Sequence, residues 1–168
     1  MSTTKGCESI KVEKKVKIDA KPKMMGAEII LTLPGKQGGK EQVLRGLLDS
    51  GTSSSLMNYS KVGKKCAKTN QTVVNWNTQG GNFDTFGQGK IDGLMFPQFT
   101  TQRKFAYNFH LFKGSKNDKY DVIIGRDLMQ ALGIDILNSR RTFKWDDIEI
   151  PMMPMGYWNR SRINNFIH

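Results

Sequence analysis

One acidic residue in one tripeptide constrains this chain more than any other feature. Asp49-Ser50-Gly51 stands at the end of the mostly apolar run Leu44 to Leu48. A carboxylate at the end of a buried strand is costly unless it is satisfied or functional. Ser50 can hydrogen-bond locally, and Gly51 lets the chain turn sharply. The tripeptide occurs once, and by itself it also fits an ordinary strand-ending turn. A second segment, Tyr120-Asp121-Val122-Ile123-Ile124-Gly125-Arg126-Asp127, follows about seventy residues later and reads as a strand entering a helix through glycine. Alone, it fits common strand–turn–helix packing equally well.

The pattern between and around these segments is mainly β. Glu28 to Leu33 reads as a strand closed by Pro34-Gly35, and Gln42 to Leu48 as a second, buried on both faces. Tyr59 to Lys68 fits a short helix or a loop. Thr72 to Trp76 and Phe83 to Ile91 read as strands joined by a hairpin through Asn77-Thr78-Gln79-Gly80-Gly81-Asn82, whose adjacent glycines permit positive φ. In Lys104 to Phe112, Phe105, Tyr107, Phe109 and Leu111 fall on one face at strand period. Asp121 to Ile124 is a short buried strand. Arg126 to Leu132 reads as a helix capped at Gly133. Arg141 to Trp145 and Ile148 to Ile150 close the pattern. The domain expected is 27–152, between a basic flexible leader over 1–26 and a tail or linker over 153–168.

Charge and cysteine usage narrow the classes. The chain has 168 residues and a net charge of +11, and residues 1–26 alone carry seven Lys against three acidic residues. Such a leader offers weak phosphate contacts to nucleic acid but has no aromatic residue for base stacking. A solvated Lys-rich segment is the simpler reading. No apolar run approaches the roughly 20 residues of a membrane span, and the first residues lack the apolar segment of a signal peptide. Cys7, Cys66, His110 and His168 have no metal-ligand spacing, so both thiols are expected free in a reducing compartment. Nothing local favours a Cys–His nucleophile.

Taken in order, Asp-Ser-Gly, a glycine hairpin, an aromatic strand, and apolar-apolar-Gly-Arg-Asp before a short helix resemble the retropepsins. These are the aspartic proteases of retroviruses and long-terminal-repeat retrotransposons. The resemblance covers roughly Glu28 to Met152. It is carried best by Leu47-Leu48-Asp49-Ser50-Gly51-Thr52-Ser53 and Val122-Ile123-Ile124-Gly125-Arg126-Asp127-Leu128. The stretch Phe143-Lys144-Trp145 to Ile150-Pro151-Met152 looks like the end of the protease region in gypsy-type polyproteins.

The resemblance implies a single-lobe acid-protease fold with one short C-terminal helix, working as a two-fold homodimer. Asp49 would then be the catalytic carboxylate. Ser50 would hydrogen-bond across the axis, and Gly51 would allow close backbone approach. Gln79, Gly80, Gly81 and Asn82 would form a flap over substrate. Ile124 and Gly125 would flank the active-site loop, with Arg126 and its helix bracing the dimer. The expected partners are a second copy and an extended peptide or polyprotein substrate, with no membrane and no cofactor or metal. The expected place is the cytoplasm, in a virus-like particle or retroelement polyprotein. One departure stands out. Thr52-Ser53-Ser54-Ser55 lacks the acid that often pairs with the motif arginine, so Arg126 must use Asp127, a carbonyl or nothing. Two alternatives remain: a cellular retropepsin-like protease, and a catalytically idle, domesticated module for dimerisation or nucleic-acid binding.

Overall fold

A computed structural model describes residues 24–35, 39–70, 72–115 and 118–166. The leader up to Lys23, with Cys7, and His168 lie outside these residues. The described chain is mainly β. Its strands are β1 (Glu28–Leu33), β2 (Gln42–Leu48), β3 (Leu56–Asn58), β4 (Cys66–Asn70), β5 (Val74–Thr78), β6 (Gly81–Leu94), β7 (Phe105–Phe112), β8 (Val122–Ile124), β9 (Ile134–Leu137), β10 (Thr142–Trp145) and β11 (Ile148–Pro151). Three short helices accompany them: α1 (Tyr59–Val62), α2 (Arg126–Leu132) and α3 (Arg160–Asn165).

An eight-stranded sheet runs β1-β2-β8-β3-β7-β6-β4, with β5 paired to β6, and β11-β10-β9 form a smaller sheet. The pairing of β2 with β8 is parallel, Leu47 opposite Ile123 and Leu48 opposite Ile124. Strands buried on both faces read as near-continuous apolar runs; accordingly Leu44, Leu48, Val122, Ile123 and Ile124 are almost fully buried. All but Ile123 join Phe96, Phe109, Phe143 and Trp145 in a core that spans both sheets, while Ile123 packs in a second cluster with Leu47, Leu56, Phe112 and Tyr120. Trp145 seats against α2 by donating Nε1–H to the Leu132 carbonyl at 2.8 Å.

Where the sequence offers a short helix or a loop over Tyr59 to Lys68, the chain forms α1 and enters β4, with β3 just before them. Helix α1 starts where Asn58 Oδ1 accepts the Ser60 N–H at 2.9 Å, an N-cap. Asn159 caps α3 in the same way through Arg162 N. Trp158 and Ile163 of the α3 segment pack on Ile30 of β1.

Charge inside the fold is concentrated around β1 and β2. Glu28 Oε2 accepts from Arg45 Nη2 at 2.6 Å and from the Tyr120 hydroxyl at 3.0 Å. Asp121 is buried and accepts from the Arg45 backbone N–H and from both terminal nitrogens of Arg160, at 2.9, 2.9 and 3.1 Å. Burial and the Glu28 carboxylate push the Tyr120 hydroxyl up to about 12. The Glu28–Arg45 pair is buried, so Glu28→Ala strands a guanidinium in the interior and is expected to lower the unfolding free energy by about 3–5 kcal/mol. The exposed Arg140–Glu149 pair differs: Glu149→Gln should cost under about 1 kcal/mol. Urea titration of both variants checks the contrast.

His110 on β7 lies 4.7 Å, ring to ring, from Trp76, and its Nε2 is 3.0 Å from Gln88 Nε2. Burial lowers its pKa below the ordinary 6.5, against the opposing pull of Asp127. The folded chain therefore resists a proton that the unfolded chain takes up. This contribution to stability is complete above pH 6.5 and is lost as pH falls below it. Melting temperatures of wild type and His110→Gln, compared on either side of that pH, should show a steeper acid-side loss in the wild type.

Candidate active site

The parallel pairing of β2 with β8 continues past both strands and builds the site. The Asp49 N–H donates to the Ile124 carbonyl at 2.8 Å, so the Asp49 loop rests on the end of β8. The loop then turns back: Thr52 N–H donates to the Asp49 carbonyl at 3.1 Å and Arg126 N–H to the Thr52 carbonyl at 2.8 Å. Gly125 is required here for space. A Cβ on it would lie 2.7 Å from the carbonyl oxygens of Thr52 and Ser54.

A second carboxylate fastens the far end of the loop. Asp127, in the first turn of α2, accepts from Ser55 Oγ–H at 2.7 Å, from Ser55 N–H at 3.1 Å and from the Tyr107 hydroxyl at 2.8 Å. Ser55 Oγ in turn accepts from Gly125 N–H at 2.9 Å. Burial, with the Asp127 carboxylate beside it, pushes the Tyr107 hydroxyl well above its ordinary value. Sequence reasoning missed Ser55, Tyr107 and Asp127 as a unit. The visible signal was an acid in the first turn of a helix, where it favours the dipole.

Asp49 itself is 1% exposed and its carboxylate is held by three donors. Gly51 N–H reaches Oδ1 at 3.0 Å, and the Thr52 hydroxyl and Gln79 N–H reach Oδ2 at 2.7 and 2.9 Å. A Cβ on Gly51 would crowd Asp49 Oδ1 at 3.2 Å, a tight contact. Its φ is outside the left-handed region. The local hydrogen bond expected from Ser50 is made by Thr52 instead. Ser50 is exposed and has no hydrogen-bond partner among the described residues.

The hairpin comes to Asp49 from the side. Its register pairs Asn77 with Asn82 and Thr78 with Gly81, so the tip is Gln79-Gly80. Gly81 and Asn82, expected in the turn, are exposed residues at the start of β6. Gly81 takes the positive φ, 127°, and Gly80 the close packing. A hollow of about 280 Å³ remains, lined by Asp49, Gly51, Thr52, Asn77, Thr78 and Gln79, with Asp49 the one acid among them. On the other side of the loop a cavity of about 480 Å³ is lined by residues including Leu48, Ser50, Arg126, Gln130 and Asp135. Arg126 is exposed there and pairs with no acid or carbonyl through its side chain among the described residues. Of the three options left open for it, the lone chain shows the last.

No cluster of three or more potential metal ligands occurs among the described residues, and no described helix is long and apolar enough to cross a membrane. Burial raises the Cys66 pKa, which keeps it a thiol rather than a nucleophilic thiolate.

No family model and no curated protein sequence matches this chain. Solved structures do. The retroviral protease-like domain of Ddi1 from Leishmania major superposes with a TM-score of 0.53 over 79% of this chain and 96% of that one, at 14% identity. The EIAV protease in complex with the inhibitor HBY-793 gives 0.41 over 73% and 99%, at 20% identity. The arrangement of strands around the Asp49 loop is thus a retroviral protease-like fold.

Proposed function

We propose that this chain is an aspartic endopeptidase that works as a homodimer, with Asp49 contributed by each copy, and that it cuts a retroelement polyprotein of the gypsy type. The observation that carries the reading is the Asp49 carboxylate. It is buried, held by three donors at the end of a two-sided buried strand, and opens on a hollow containing no other acid.

One carboxylate is insufficient for the chemistry. Two held about 3 Å apart cannot both ionise and share one proton. The ionised one takes a proton from water as it attacks the scissile carbonyl. The protonated one polarises that carbonyl and then supplies a proton to the leaving nitrogen. The second copy would bring its own Asp49 to within about 3 Å of this one. The side chains of Ser50 and Arg126, exposed and without a partner among the described residues, line the neighbouring cavity of about 480 Å³ and fit a role in contacting the other copy. Substrate would lie extended beneath the β5–β6 hairpin, with backbone groups pairing to the flap.

The test is cleavage of the chain's own flanking polyprotein between about pH 4 and 7, with and without pepstatin. Wild type should cut and pepstatin should block it, while Asp49→Asn should abolish cutting and keep the fold. Absence of cutting by a protein shown to be dimeric would overturn the reading. Activity should also rise more steeply than linearly with concentration in dilute solution.

A further inference from the structure

The segment after Met152 is laced onto the domain along its length. It first pairs with the residues ahead of β1: Gly26 N–H donates to the Met153 carbonyl at 2.9 Å and Met155 N–H to the Met24 carbonyl at 3.1 Å. Gly156 N–H then reaches Glu28 Oε1 at 3.2 Å, and Trp158 and Ile163 pack on Ile30. This path carries Arg160 to the head of β8. Its Nη1 donates to Asp121 Oδ2 at 2.9 Å, and its Nη2 to Asp121 Oδ1 at 3.1 Å and to the Asp118 carbonyl at 2.9 Å. A guanidinium fork on both oxygens of a carboxylate is the strong form of this pair.

Asp121 depends on that fork. Its side chain is 1% exposed. Without Arg160, the donors left to it among the described residues are the Arg45 backbone N–H at 2.9 Å and Lys61 Nζ at 4.0 Å. A buried carboxylate stripped of its main partner is costly. Asp121 is also a joint between strands. Its N–H donates to the Arg45 carbonyl and its carbonyl accepts from Asn58 N–H, both at 2.8 Å, so it ties the head of β8 to β2 and β3. At the other end of β8 the Ile124 carbonyl accepts the Asp49 N–H at 2.8 Å.

We propose that Arg160 is a positioning residue for the Asp49 site, acting through Asp121 and β8, and that residues 153–166 are the strap that carries it there. For its effect on cleavage the inference rests on the protease reading above. Severing the chain between Met155 and Arg160 would then loosen β8 and weaken the site, so the strap has to stay with the protease through processing.

Amide hydrogen exchange, read by nuclear magnetic resonance on the full 168-residue chain, tests it with Arg160→Gln, Arg160→Lys and the double variant of Asp121→Asn with Arg160→Gln. In Arg160→Gln the Asp49 amide should lose about tenfold or more of its protection while amides of the β9–β10 pair keep theirs. Lysine keeps the charge and loses the fork, so Arg160→Lys should fall between. Neutralising Asp121 removes the stranded charge, so the double variant should recover protection relative to Arg160→Gln. Should Arg160→Gln fail to fold, Arg160→Lys decides. Unchanged Asp49 protection in the folded variant, or an equal loss at the β9–β10 amides, overturns the inference. In cleavage assays of the same proteins kcat should fall with KM little changed, because neither Arg160 nor Asp121 touches substrate. The two readings fail separately: selective loss at Asp49 in a chain that never cleaves keeps the strap and removes the protease, whereas full-rate cleavage by Arg160→Gln with Asp49 still protected does the reverse.

Discussion

The structure depends on the parallel pairing of β2 with β8. Parallel strands cannot be joined by a tight turn, so the chain travels through β3 to β7 before it returns. That detour brings two distant tripeptides side by side. The ends of both strands then face the same way, and the Asp49 loop lies across Gly125. Two carboxylates divide the work of holding it. Asp49 gathers the loop's own donors at its start, and Asp127 ties down Ser55 at its end. Both ends of the loop are thus tied, and the carboxylate at its start is the one left facing a hollow.

Elements whose two ends carry turn chemistry are legible in the sequence. Glu28–Leu33, Gln42–Leu48 and Arg126–Leu132 have the boundaries read from Pro34-Gly35, the Asp49 turn and Gly133, whose φ of 79° is that of a left-handed cap. The edge of the sheet is less legible. β4 runs through a Lys-rich stretch without alternation, and its pairing partner β6 carries Gly87, Gly89 and Gly93. The sequence reads the strand from Phe83 to Ile91, through Gly87 and Gly89, and misses its ends, which run from Gly81 to Leu94; Gly89 makes room, since a Cβ would meet Cys66 Sγ at 2.0 Å. Contacts between remote residues leave no local trace. The Tyr107–Asp127 bond and the Arg160–Asp121 clasp join residues 20 and 39 positions apart. Arg126 shows the converse limit. Its motif suggests a bracing role, yet its side chain braces nothing among the described residues.

On the proposed reading, a satisfied Asp49 lets one chain fold around half of a two-carboxylate site. Its three hydrogen bonds come from its own loop and hairpin, so folding does not wait for a partner. A second carboxylate brought within about 3 Å changes the balance, since like charges at that distance favour one shared proton. On the proposed reading folding and assembly are then separable events: the first rests on the β2–β8 pairing, and the second would fall to exposed groups such as Ser50 and Arg126.

The central claim is that catalysis needs one Asp49 from each of two chains. Wild-type protein equilibrated with increasing amounts of Asp49→Asn, at fixed total concentration, tests this most directly. If mixed dimers are inactive, cleavage should fall as the square of the wild-type fraction. Cleavage falling in direct proportion to that fraction would mean that each chain works alone, and would contradict the account.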